Sequence, residues 1–260
     1  MSSMTPLEKA TQRSRHLLLL VAIALVGGLG GCEYAPDDAS LPSASTPTTE
    51  AGTVPPQPDG GDSSTVPPLP DSGELEAGTY LVSSFTKPFE ITVPGGWLSD
   101  GGEVLFKDDP DHPDELAVAV VFWPTPYVPT DACAWQGNLV EVGPSAEAFV
   151  DAMTAQTSTA STTPVEVMVG DYSGFEFDHS VEGDLDITPC DRDKFCISSE
   201  FSNECTSWYS TNEERQTFRV VDLDGQRAVI WVVQFHESTS PELTREARAV
   251  FDSIVFTSDK

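Results

Sequence analysis

Between residues 79 and 236, apolar and polar positions mostly alternate or apolar residues cluster in short runs, and both patterns belong to β-strands. "TYLVSS" (79–84) and "PFEITVP" (88–94) predict two strands, the second ending at the turn Pro94-Gly95-Gly96. "EVLFK" (103–107) and "LAVAVVFW" (116–123) predict a hairpin across an acidic loop. "PVEVMV" and "GFEFDHSV" predict strands joined through "GDYSG", and "TFRVVD" and "QRAVIWVVQF" a pair joined at Asp224-Gly225. Two stretches carry helical spacing instead. Residues 144–156 place Phe149, Val150 and Met153 on one face, with Ser145 as N-cap and Glu147 in the first turn. The last helix opens at Ser240-Pro241, and Leu243, Ala247, Val250, Phe251 and Ile254 form its apolar stripe. The pattern predicts one α+β domain over residues 76–258.

The first 75 residues follow neither period. Lys9, Arg13 and Arg15 precede the apolar run Leu17–Val26, which is ten residues long. A helix crossing a hydrocarbon core of about 30 Å takes roughly 20 residues, so this run is too short to span and reads as a secretory signal. The tetrapeptide Leu29-Gly30-Gly31-Cys32 resembles the lipobox of bacterial lipoproteins. That resemblance implies a signal peptide over 1–31, a diacylglycerol thioether on Cys32, and an anchor in the bacterial cell membrane facing outside the cytoplasm. Residues 32–75 then hold Pro, Ser, Thr, Gly and acids with one aromatic, Tyr34, and read as an extended stalk unable to bury an apolar core.

Charge narrows the partners. The chain has 13 Lys and Arg against 42 Asp and Glu, a formal charge of −29. Removing residues 1–31 would make it −31. Such a polyanion lacks the basic surface that nucleic acid or anionic lipid requires, so the bilayer enters only through Cys32.

"FEITVPGGW", "DACAWQGNLVEVGPSAEAFVDAM", "LDGQRAVI" and "FDSIVF" resemble, in that order, a group of uncharacterised actinobacterial-type exported lipoproteins over residues 77–256. The turn before Trp97 and the S-I-x-F end also resemble, more loosely, Mog1/PsbP-like sandwiches. That likeness implies a central, mainly antiparallel sheet flanked by helices. It supplies no activity. After Cys32 four cysteines remain, Cys133, Cys190, Cys196 and Cys205, which in an exported chain imply two disulfides with three connectivities open. The group's pattern favours Cys133–Cys190, leaving Cys196–Cys205 inside an insertion around residues 191–207. The spacings do not offer the C-x₂₋₄-C pair of a zinc site.

Catalytic motifs fail on spacing. "GDYSG" puts Tyr172 where G-x-S-x-G needs serine. His236-Glu237 lacks the second histidine of a zinc protease, with Ser240 in its place. "DLDG" at 222–225 meets Arg227 and Val233 where a calcium loop needs glycine and glutamate. "DDPDHPDE" offers Asp108, Asp109, Asp111 and Asp114 as calcium ligands, though a solvated hairpin loop has the same composition. "FWPTPYVPTDACAW" sets Trp123, Tyr127 and Trp135 among prolines, as a rigid ligand platform would, and equally as a sheet edge covered by core aromatics would. The expected function is a lipid-anchored binder of an envelope partner or small ligand, without cofactor. The alternative is a carboxylate-dependent, calcium-assisted hydrolase.

Overall fold

The computed structural model describes residues 66–256. The signal peptide, Cys32 and the stalk as far as residue 65 lie outside the described residues.

Five short strands open the fold: β1 (Ser72–Leu75), β2 (Gly78–Val82), β3 (Phe89–Val93), β4 (Trp97–Asp100) and β5 (Val104–Asp108). After β6 (Leu116–Val121), β7 (Tyr127–Pro129) and β8 (Leu139–Glu141), the helix α1 covers Ala146–Thr154. Next come β9 (Thr159–Ser161), β10 (Val165–Val169), β11 (Tyr172–Val181), β12 (Phe195–Ser198) and β13 (Ser207–Tyr209). The chain closes with β14 (Arg215–Asp222), β15 (Arg227–Gln234), α2 (Pro241–Asp252) and β16 (Val255–Phe256).

A nine-stranded antiparallel sheet runs β1-β4-β5-β6-β15-β14-β11-β10, with β9 also on β11. A three-stranded sheet, β16-β3-β2, and the pairs β7-β8 and β12-β13 complete the β structure. The molecule is thus mostly antiparallel sheet, and its helical flanking is limited to two helices. The segment read as stalk runs to residue 75, yet its last four residues are β1. Leu69 and Leu75 are buried, and Pro67 O and Leu69 N–H bond to Leu81. The Pro-rich composition hides this, because only two leucines anchor the segment.

The central strands are apolar on both faces because both faces are covered. Val118 and Val120 of β6, with Ile230 of β15, pack against Phe89, Trp97 and Phe251. Ala119 and Val121, with Val229, Trp231 and Val233, pack on the other side against Phe149, Met153 and Phe195. Phe177, Phe218 and Trp231 face one another across β11, β14 and β15, with ring centroids 5.5 Å apart at each step. At Gly174 the strands approach so closely that a Cβ would sit 2.3 Å from Val220 O. The Asp224-Gly225 hairpin takes positive φ at both residues (58° and 89°), the geometry that matches strand twist.

Each helix is capped as its sequence requires. Ser145 Oγ accepts from Ala148 N–H and Ser240 Oγ from Leu243 N–H, with Pro241 opening α2. The end of α2 is fastened to the sheet by charge. Arg219 bonds Glu176 (2.6 and 3.0 Å), Asp252 (2.8 Å) and Phe251 O (3.2 Å), while Arg248 reaches Glu176 (2.7 Å) and Asp252 (3.0 Å).

Candidate functional site

Cys133 is bonded to Cys190, and Cys196 to Cys205. The first bridge ties the loop after β7 to the segment before β12. The second closes the β12-β13 insertion. Arg192 and Asp193, between the bridges, hold positive φ. Asp131 orders the turn into Cys133 by accepting from the N–H groups of Cys133 (2.9 Å) and Ala134 (3.1 Å). Burial pushes the Asp131 pKa up, but these hydrogen bonds outweigh it and the net shift is downward.

Of the three aromatics predicted as a platform, Trp135 is buried and Trp123 and Tyr127 are half-buried. Trp135 is 1% exposed, packs on the Cys196–Cys205 bridge, and donates its indole N–H to Asp191 O (2.8 Å) and Lys194 O (3.1 Å). Trp123 is half-buried and stands edge-on to Trp231 at 5.2 Å. Tyr127 belongs to β7, where its backbone pairs with Ser199. A ligand platform needs exposed faces, and Trp135 has none, so it belongs to the core.

The same loop does form a site, through its prolines. Pro124, Pro126, Pro144, Phe85 and Val142 wall a groove of about 490 Å³. Arg227 fastens the two walls. Its guanidinium donates to Thr125 O (3.1 Å) on one side and to Gly143 O and Val142 O on the other, and lies 5.1 Å from the Phe149 ring. Burial pushes the Arg227 pKa down, and three carbonyl acceptors occupy its fork, so the residue holds the groove's shape. Thr125 lines the groove and is 2% exposed, and its Oγ1 has no hydrogen-bond partner. The Trp123 indole N–H in the same loop also lacks one. Glu141, Gln226 and Arg227 add polar groups to the groove's lining, while the Thr125 hydroxyl is closed off from solvent.

In the acidic loop a carboxylate serves the turn itself. Asp109 Oδ1 accepts from Asp111 N–H (2.8 Å), while its other oxygen faces His112 (3.7 Å). The Asp111 N–H bond, more than any other contact, holds the Asp109 pKa down. Asp111 and Asp114 lie on the surface. Among the described residues no group of three or more His, Cys, Asp or Glu is placed to hold a metal ion. Of the candidate ligands Asp108, Asp109, Asp111 and Asp114, Asp109 closes the loop's own turn.

A second polar cluster lies inside the domain, out of reach of solvent. His179 Nδ1 and the Tyr209 hydroxyl are 2.8 Å apart, and that hydroxyl donates to His179 O (2.7 Å). Burial lowers the His179 pKa to about 3 and raises that of Tyr209. Glu214, 2% exposed, accepts from Ser210 N–H (3.0 Å) and the Gln216 amide (2.8 Å), and burial pushes its pKa up to about 7. His179 Nε2 and Gln216 Oε1 have no partner. Because these groups are buried among the described residues, their titration acts on stability.

The described residues form a mainly antiparallel α+β domain with a proline-walled groove. No protein-family model matches the chain, and no curated protein matches it. Among solved structures it is similar to cyanobacterial PsbP (CyanoP) from Synechocystis, at 12% identity and a TM-score of 0.34. That match covers 70% of this chain and 94% of the other.

Proposed function

We propose that this protein is an extracytoplasmic lipoprotein whose domain binds an envelope partner or small ligand without chemical turnover. Cys32 carries the lipid, the Pro-rich segment ahead of β1 holds the domain off the membrane, and the groove beside Arg227 takes an apolar group. We also read the domain as a Mog1/PsbP-like sandwich of the exported lipoprotein group, on the turn before Trp97 and the Ser253–Phe256 end. The groove is the observation that carries the binding reading: proline and phenylalanine walls beside Glu141 and Gln226, held in shape by the Arg227 guanidinium. Two disulfides suit an oxidising compartment. Among the described residues no helix is long and apolar enough to cross a membrane, and the tetrapeptide at Cys32 supplies the anchor instead.

Two measurements test it. Cys32→Ala abolishes metabolic lipid labelling, and the variant either leaves the membrane or stays there uncleaved. Unchanged labelling refutes the anchor. Hydrolase screens with and without calcium stay at background. Turnover lost on replacing Asp111 or Asp114 would establish the carboxylate-dependent hydrolase in its place.

A further inference from the structure

A different surface, at the far end of the main sheet, has the features of a strand-docking edge. β10 is the terminal strand, paired only with β11. Among the described residues its outer side meets no other strand, and no side chain or loop bonds its backbone there. Natural proteins usually blunt such an edge, because its unpaired N–H and C=O groups template another chain. Here Val165 (56% exposed) and Met168 (65% exposed) stand on solvent, one on each face of the strand.

Along one face a groove of about 620 Å³ separates β10 from the start of α1. Met168 and Phe175 give it an apolar floor, while Glu147, Glu166 and Asp222 give it three carboxyl groups and no cation. On the other face, Val165 continues the row of Val167 and Val169, which reaches the core. A strand added to β10 would therefore meet carboxylates and Met168 on one side and valine on the other.

We infer that β10 is a docking edge for a cationic β-strand of a partner protein, one that alternates Lys or Arg with β-branched apolar residues. Backbone pairing supplies the affinity, and the alternation supplies the register. Charge selects the occupant. At a net charge of −29 the chain repels its own copies, and Glu147, Glu166 and Asp222 repel an acidic strand while attracting a basic one. This surface shares no lining residue with the groove beside Arg227, though the two adjoin at Pro144–Ser145 and at the Asp222–Arg227 pair, and shifts confined to Val165–Val169 tell them apart.

The probe is a synthetic peptide alternating lysine and valine, titrated into the isotope-labelled chain lacking its signal segment. Amide shifts should concentrate at Val165–Val169, and an alternating glutamate–valine peptide should give none. Reversing one exposed charge with Glu166→Lys should weaken binding roughly tenfold, and added salt should weaken it as well. Val165→Lys, at an exposed position, should also weaken it while leaving the melting curve unchanged. Shifts elsewhere, equal binding of the acidic peptide, or an unchanged affinity for Glu166→Lys would overturn the proposal. Self-association that Met168→Lys abolishes would overturn it too, by assigning the edge to a second copy of the chain.

Discussion

On one face of the nine-stranded sheet, α2 and the three-stranded sheet close the core with apolar side chains. Phe89, Trp97, Phe251 and Phe256 fill it, and charge meets it in two clusters, Arg219 and Arg248 on Glu176 and Asp252, and Lys107 with the Trp97 indole on Glu246. On the other face, one nine-residue helix and two disulfide-bonded segments cover Phe177, Phe218 and Trp231, and they bury His179, Glu214 and Gln216 with them. The first face is held mainly by burial, which does not depend on redox state. Its ion pairs lose strength only in acid, where Asp252 takes up a proton; burial pushes its pKa up, but Arg248 and Arg219 hold it below the usual carboxylate range. The second is held by cross-links and encloses titratable groups, so redox state and pH both act on it.

The largest expected consequence is the loss of the long bridge. Replacing Cys133 and Cys190 together by Ser should cost roughly 4 kcal/mol by the loop-closure argument, and replacing Cys196 and Cys205 roughly 3. Calorimetry checks the order, and hydrogen exchange should show β12 and β13 loosening before Ile230 and Phe251 do. Equal loosening of both faces would erase the distinction.

Glu214 gives a pH-dependent effect of slightly smaller size. The unfolded chain releases this proton near 4.5, and the folded chain holds it to about 7. Between those values the folded state binds more protons, so stability falls as pH rises, by roughly 3 kcal/mol in all. Glu214→Gln should recover that loss above pH 7 and gain nothing below pH 4, because the Gln216 amide can turn its unpartnered oxygen toward the new side chain. His179 acts in the opposite sense. It is neutral when folded down to about pH 3, so its contribution is lost as pH falls below 6.5. Denaturant melts of wild type and variant at pH 4, 6 and 8 separate the two.

The same contrast governs what the sequence discloses. β5-β6, β10-β11, β14-β15 and both helices are legible because their partners are adjacent in sequence and their periodicity is unbroken. β1, β7, β8, β12 and β13 are three or four residues long, and bridges or distant strands hold them, so no local pattern marks them. The groove was half legible. The loop at 122–135 stands out by composition; Trp135 is buried against the Cys196–Cys205 bridge, and Pro124 and Pro126 line the groove. Arg227 lies roughly 100 residues away in sequence from Thr125, whose carbonyl it holds, and only the hairpin "LDGQRAVI" hinted at a special position.

The binding claim is tested most directly by filling the groove. Gln226 lines it and is exposed, so Gln226→Trp should occlude it without unfolding the domain. Wild type, this variant and a distant control, Thr79→Trp, are incubated with detergent-solubilised envelope, and the complexes are read by native mass spectrometry. A discrete partner or ligand retained by wild type and by Thr79→Trp, and lost from Gln226→Trp, is the expected result. A bound species that Gln226→Trp retains in full, or no bound species with any of the three, would contradict a binding role for this groove.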